Sequence, residues 1–343
     1  MLEPRGADSS MFEPATDDSA RIVHAARDAL SQGRIAEAMD AVERARPDLG
    51  LSDGQRASLN LTGLLGKLAL GDLRGAAAYA RELTNLMRVR GPVGAMASYG
   101  LGEFAAARSN ADQAVSYFER AGQELASSRS PARPARFAPL PWRSGLARVL
   151  AGRGEVTAAA ALVEAELADA RATGTPYDIA SALRTYAAIA ATNRRVGLLD
   201  EALEILDGYA AARLDAQIRT DLAGWLLLLH PGESARAIDL LRSAEKYARH
   251  EELTPLLSRI RWLLERLGEA PDGELPGRLA ELSAAERRVA QLIVVGKRNR
   301  EIAAELGVSV KSVEWHVSHI LRKLSITSRH ELADALSGPR QPR

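Results

Sequence analysis

The chain of 343 residues contains no cysteine. That excludes a disulfide framework, a cysteine-based zinc site and a thiol nucleophile, and it suits a reducing cytoplasm. Aromatic residues make up only 4% of the chain, and β-branched runs are few while Ala, Leu and Arg are abundant. Residues of the latter kind lose little rotamer freedom in a helix, so the composition predicts helices nearly throughout. Long apolar runs are missing too. The most apolar patch, Trp225 to Leu229, falls far short of the ~20 residues that span a bilayer, so no membrane partner is expected. The N-terminus, MLEPRGADSSMFEPATDDSA, has acids and prolines where a signal peptide would need an apolar stretch.

The chemistry of an enzyme is missing as well. A phosphate-cradling loop needs G-x-x-x-x-G-K-[ST]. The nearest approach is Gly66-Lys67, but Leu61 stands at the first glycine position and Leu68 at the hydroxyl position. His24, His230 and His250 are scattered without metal-ligand spacing. His316 and His319 are three apart on one helix, but no third ligand accompanies them. The alternating strands and acidic pocket of a receiver domain are not visible in the N-terminal half. No catalysis, cofactor or metal is expected.

What is there is a repeat. Residues 1–18 read as a polar tail, and residues 19–268 read as helix pairs. The second helix of each pair carries an alanine at a matching place: Ala38, Ala76, Ala114, Ala159, Ala202 and Ala237, at intervals of 38, 38, 45, 43 and 35 residues. A larger apolar residue commonly follows four positions later, as at Val42, Phe118, Val163, Leu206 and Leu241. Small residues there let neighbouring helices approach, and the larger one fills the groove between them. The pattern resembles degenerate tetratricopeptide repeats, with longer intervals than that family's 34 and fewer signature aromatics. The resemblance implies a solenoid whose concave surface takes a protein, a peptide or a small-molecule ligand. Ser128 to Arg143 interrupts the array with four prolines and four arginines, the composition of an inter-repeat connection. A second break, residues 269–277, reads as a linker.

Charge points to the C-terminal end. Residues 278–343 hold 12 Lys+Arg against 7 Asp+Glu, while the rest of the chain holds 33 against 37. That asymmetry places a polyanion partner there. The same stretch carries helix punctuation at short intervals. Ser283 with Glu286 makes a capping box, Asn299 is placed to cap a second helix, and Ser309 caps a third after the tight link Leu306-Gly307-Val308-Ser309. Ser328 with Glu331 makes a further capping box. Two short helices joined so closely have the form of a helix-turn-helix. On the third helix Val313, Val317, Ile320, Leu321 and Leu324 share one side, at about 100° per residue. Lys311, Trp315, Ser318 and Arg322 share the other, flanked by Glu314 and His319. A tryptophan in the middle of a solvent face has no packing reason unless something docks there. Lys297, Arg298, Arg300, Lys311, Arg322, Lys323 and Arg329 surround it with the charge that phosphates require.

The motifs L-S-x-x-E from Leu282, N-x-E-I-A-x-x-L-x-V-S from Asn299 and S-V-x-x-H-x-x-x-I-x-x-K-L from Ser312 resemble a LuxR/GerE-type DNA-binding domain, here 278–337. Part of the pattern is shared with a sigma-factor region, but His316 and the Lys323-Leu324-Ser325 ending favour LuxR. The resemblance implies an all-α chain: a helical-repeat arm, a linker, a four-helix DNA-binding domain and a short tail at 338–343. It also implies that Lys311, Glu314, Trp315 and Ser318 face base edges of double-stranded DNA, with His319 and Arg322 at the flank. Lys297, Arg298, Asn299, Arg300, Ser309 and Lys323 would hold phosphates. The family's fourth helix pairs two copies, which makes Arg329 to Leu336 a homodimer contact, and RNA polymerase is a further partner open to such a regulator. Large LuxR-type regulators often carry an ATPase module before their repeats, and this chain departs from them in lacking one. The competing class is a repeat scaffold whose C-terminal helices bind protein.

Overall fold

The recurring alanines are the tightest points of the array. Ala38, Ala76, Ala114, Ala159, Ala202 and Ala237 are each 0% exposed, and the larger residues four positions on, Val42, Phe118, Val163, Leu206 and Leu241, are buried with them. The computed structural model describes residues 17–46, 50–127 and 140–269, and in the C-terminal part residues 282, 286, 289–290, 292–293, 297–306, 308–324, 326, 328 and 331–332. Most of the expected tail at 1–18, the linker at 269–277 apart from Glu269, the tail at 338–343 and the proline-rich stretch up to Pro139 lie outside the described residues. Among those described there is no strand. The chain divides into two compact units, Met1–Leu267 and Gly268–Arg343.

The first unit is all helix. It comprises α1 (Asp17–Gln32), α2 (Ile35–Ala45), α3 (Asp53–Leu70), α4 (Leu73–Leu86), α5 (Pro92–Ala107), α6 (Ala111–Ser127), α7 (Trp142–Gly152), α8 (Val156–Thr173), α9 (Pro176–Ile189), α10 (Arg195–Ile205), α11 (Ala212–Leu229), α12 (Ser234–His250) and α13 (Thr254–Arg266). Local chemistry sets several boundaries. Ser52 with Gln55, and Thr175 with Asp178, form reciprocal capping boxes at the starts of α3 and α9. Gly71, at φ 82°, ends α3 in the left-handed region, and Asp72 then caps α4 by accepting from the Gly75 N–H at 2.7 Å. That N–H, with help from Lys67, holds the Asp72 carboxyl below its ordinary range.

Helices pack in successive pairs, α1 on α2 through α11 on α12, and the first helix of each pair also packs on the first helix of the next. This is a tetratricopeptide-like helical-repeat solenoid. Helix α5, apolar all round, is buried from Gly94 to Gly102, enclosed by α3, α4, α6 and α7.

The array is not an open arc. Helix α13 packs against α3, and α1 against α11. The Tyr247 hydroxyl of α12 donates to the Gly33 carbonyl at 2.6 Å, and the Ala36 N–H at the start of α2 donates to Glu251 at 3.0 Å. Gly33 has to be glycine on two counts. Its φ is 87°, and a Cβ there would stand 2.5 Å from the backbone nitrogen of Arg213. The first and last pairs therefore close on each other through contacts within the unit. Glu251→Ala and Tyr247→Phe should each cost about 1 kcal/mol, the typical net worth of one such hydrogen bond. Thermal melts of both variants, with helical content followed by circular dichroism, check this. Unchanged melting temperatures would mean that the closure contributes nothing to stability.

Candidate nucleic-acid interface

The second unit is built on its own small core. Leu282, Val289, Ala290, Ile293, Ile302, Ala303, Val313, Ile320, Leu324 and Leu332 are buried together, with Leu292, Leu306, Val317, Leu321 and Ile326 packed against them. Glu286, Val289, Ala290, Leu292 and Ile293 are helical, and the Lys297 N–H donates to the Leu292 carbonyl at 3.1 Å. Ser283, Gly296, Gly307 and Arg329 lie outside the described residues.

Helix α14 (Asn299–Leu306) follows, then α15 (Val310–Lys323). Asn299 was expected to cap α14, but it is the first helical residue. The cap position is Arg298, whose carbonyl accepts from the Ile302 N–H at 3.0 Å and whose own N–H donates to Glu301 at 2.6 Å, the reach-back half of a capping box. The Val308 N–H donates to the Ala303 carbonyl at 3.0 Å and closes α14. Ala303, 5% exposed, is small enough to let α15 cross close by. Ser309 then caps α15, accepting from the Ser312 N–H at 3.1 Å. The result is two helices in close succession, the first closed by the Val308 N–H and the second capped by Ser309.

Helix α15 divides as its periodicity demands. Val313 and Ile320 are 0% exposed, whereas Trp315 is 57% exposed and Lys311, Glu314, Ser318 and Arg322 are exposed around it. His319 is half-buried because it lies under Trp315. The two rings stack with centroids 4.0 Å apart and planes 30° from parallel. One guanidinium nitrogen of Arg322 sits 3.0 Å from His319 Nδ1. Trp315, His319 and Arg322 thus form a column along the outward face, at spacings of four and three residues. The Ser318 hydroxyl donates to the Glu314 carbonyl at 3.0 Å and keeps its oxygen lone pairs free to accept on the exposed side.

The other named cations differ in how free they are. Lys323 Nζ lies 2.7 Å from Glu286, whose side chain is 4% exposed, and Lys297 is ion-paired with Glu305. Neither pairing was anticipated, because partners 37 and 8 residues apart follow no helical spacing. Arg298 and Arg300 are exposed, with no side-chain partner among the described residues. Val308, 43% exposed, and Val310, 36% exposed, flank the start of α15 and escaped notice in the sequence. Two valines within three residues of a cap were the available signal.

Ion pairs join the helices of the repeat unit. Asp221 of α11 bridges Arg184 of α9, at 2.7 Å, and Arg259 of α13, while Glu103 of α5 meets Arg148 of α7 at 2.6 Å. These pairs recur at about the repeat interval and join consecutive first helices. A shallow cleft of about 390 Å³ lies where the ends of the array meet, lined in part by Arg34, Asp207, Tyr209, Asp215 and Arg219. No group of three or more metal-ligating residues occurs among the described residues, and no helix there is long and apolar enough to cross a membrane.

A core-facing stripe opposite an exposed aromatic and basic face, in the second helix of a tight helix-turn-helix, defines a DNA-binding domain of the transcription-regulator class. Residues 280–336 match the family model described as bacterial regulatory proteins, luxR family, and the C-terminal domain is a LuxR-type helix-turn-helix. Over 53 residues the chain is 47% identical to the oxygen regulatory protein NreC of Staphylococcus carnosus, covering 16% of this chain and 24% of that one. It is 31% identical over 106 residues to the transcriptional regulatory protein LiaR of Bacillus subtilis, covering 31% and 47%. The chain thus spans about a quarter to about half of the length of these curated relatives. Among solved structures, a Rap protein complexed with Competence and Sporulation Factor aligns at a TM-score of 0.46 and 11% identity, over 91% of this chain and 77% of that one. The apo form of RapI aligns at 0.46 and 10%, over 90% and 87%.

Proposed function

We propose that this protein is a sequence-specific transcriptional regulator. Helix α15 enters the major groove of double-stranded DNA, and the helical-repeat unit responds to a protein, peptide or small-molecule ligand. The observation that carries the reading is the outward face of α15, where an exposed tryptophan is held in place by stacking and set among cations. Lys311, Glu314, Trp315 and Ser318 face base edges, with His319 and Arg322 beside them. Arg298 and Arg300 hold phosphates, with Lys297, Asn299, Ser309 and Lys323 around them. Such a regulator works as a homodimer through residues 329–336, in the cytoplasm beside RNA polymerase.

The test is binding of the full chain to duplex DNA across a salt series. The logarithm of the affinity should fall linearly with log salt, at about −0.9 for each phosphate neutralised. If Lys297 and Lys323 keep their carboxylate partners, Arg298 and Arg300 alone give a slope of about −2 per domain. A slope nearer −4 means that the two lysines exchange Glu305 and Glu286 for phosphates. Binding that ignores salt, or no binding at all, overturns the proposal and leaves the C-terminal helices to a protein partner.

A further inference from the structure

We infer that Glu314 sets the base preference of α15 by accepting a hydrogen bond from the exocyclic amino group of cytosine. The inference rests on the DNA-reading role proposed above for this helix.

Glu314 stands apart from the other described carboxylates of its domain. Glu286 holds Lys323, Glu305 holds Lys297, and Glu301 accepts from the Arg298 N–H. Glu331 is engaged as well. Glu314 is exposed and has no ion-pair or side-chain hydrogen-bond partner among the described residues. Lys311 lies three residues before it, at a spacing where pairing is common, yet the two do not form an ion pair. Ser318, four residues after, spends its hydroxyl on the Glu314 backbone carbonyl rather than on the carboxylate. The carboxylate is therefore left to solvent on the face proposed to meet a polyanion.

In a groove about 12 Å wide, both phosphate rows lie close to the ~8 Å screening length of physiological salt. An idle carboxylate there weakens binding to every sequence. Only a base-edge donor converts that repulsion into a contact, and the major groove offers two, the amino groups of cytosine and adenine. Adenine presents its amino group beside the N7 acceptor of the same base, a pair that suits the amide of Asn or Gln and repels an acceptor-only group. Cytosine presents its amino group beside a C–H. A carboxylate is matched to cytosine, and the mismatch with every other base adds discrimination to the contact.

The experiment selects duplexes from a random pool with the full chain and measures the affinity of the enriched duplex by fluorescence anisotropy. The wild type should enrich a cytosine at one position of each half-site. It should bind about 10-fold or more weakly when that base pair is changed, in line with the value of a good base-edge contact. N4-methylcytosine at that position keeps Watson–Crick pairing but puts a methyl group where the carboxylate must sit, and should weaken binding as much. Glu314→Ala should tolerate all four bases there and lose its response to the methyl group. Glu314→Gln, able to donate to N7, should move the preference towards adenine. Since Glu314 is exposed, both variants should melt like the wild type. If the wild type enriches a site but Glu314→Ala keeps every base preference, the assignment of Glu314 falls and the DNA-reading role stands. If the wild type enriches no sequence, the DNA-reading role falls and this inference with it.

Discussion

Phe118→Ala should destabilise the repeat unit by about 3–5 kcal/mol, the range for deleting a fully buried aromatic ring. Set against a total stability of about 5–15 kcal/mol for a folded protein, that loss is enough to leave the variant largely unfolded on mild heating. The size follows from what the ring touches. Phe118 of α6 is 0% exposed and lies 6.0 Å from the Tyr99 ring of α5. It is pressed between two glycines: a Cβ on Gly102 of α5 would come within 2.7 Å of it, and one on Gly145 of α7 within 2.5 Å. One side chain thus ties two consecutive pairs together, and the two glycines beside it have no side chain to fill the space it leaves. Urea denaturation monitored by circular dichroism should show a lower midpoint with an unchanged slope. Gly145→Ala supplies the opposite probe. Alanine gains about 1 kcal/mol of helix propensity over glycine, but overpacking against a rigid ring costs about 1–3 kcal/mol, so the net change should be destabilising. A stabilised Gly145→Ala variant, or a loss under 1 kcal/mol for Phe118→Ala, would show that the ring is not seated as described.

These contacts mark how far the sequence could be read. The alanine positions were legible because a residue forced against a neighbouring helix must be small in every repeat, and six sites at matching places betray one rule. The glycines that seat the aromatic rings were not. Gly63 lies under Tyr79, and Gly122 under Trp142, with distances of 2.5 and 2.7 Å to an added Cβ. In sequence each such glycine looks only like a weak point in a helix. Closure of the array was equally hidden, because Gly33 and Tyr247 lie 214 residues apart and neither belongs to the repeated pattern. In the second unit the inward and outward sides of α15 followed from its 3.6-residue period, and the Ser309 cap from residue type. The helix start at Asn299 was misplaced by one residue: the cap position falls on Arg298, which has no acceptor side chain, and what marks the start is Glu301 reaching back to the Arg298 N–H. Which lysines keep their charge free depended on pairings across the fold, and periodicity is silent about those.

Lys311→Ala and Trp315→Ala should each cost roughly 1–3 kcal/mol on the preferred DNA site and much less on random duplex, because base-edge contacts carry discrimination. Arg298→Ala should behave differently. It removes a phosphate contact, so affinity should fall alike for all sequences and the salt slope should shrink by about 1. Trp315 also has a second task. Its ring stacks on His319 at 4.0 Å, and His319 in turn meets Arg322 at 3.0 Å. Removing the tryptophan frees both neighbours, so the double variant with Arg322→Ala should lose less than the sum of the two single losses. Neither Trp315 nor Lys311 belongs to the buried core, so melting temperatures should stay near that of the wild type. Ile320→Ala is the control. Ile320 is 0% exposed on the opposite side of the same helix, and it should lose about 2–5 kcal/mol of stability first and DNA binding only as a consequence. Anisotropy titrations on specific and random duplexes, paired with melts, separate the two kinds of loss. Unfolding of the C-terminal domain by Trp315→Ala, or an untouched site preference, would mean that another face of α15 meets the DNA.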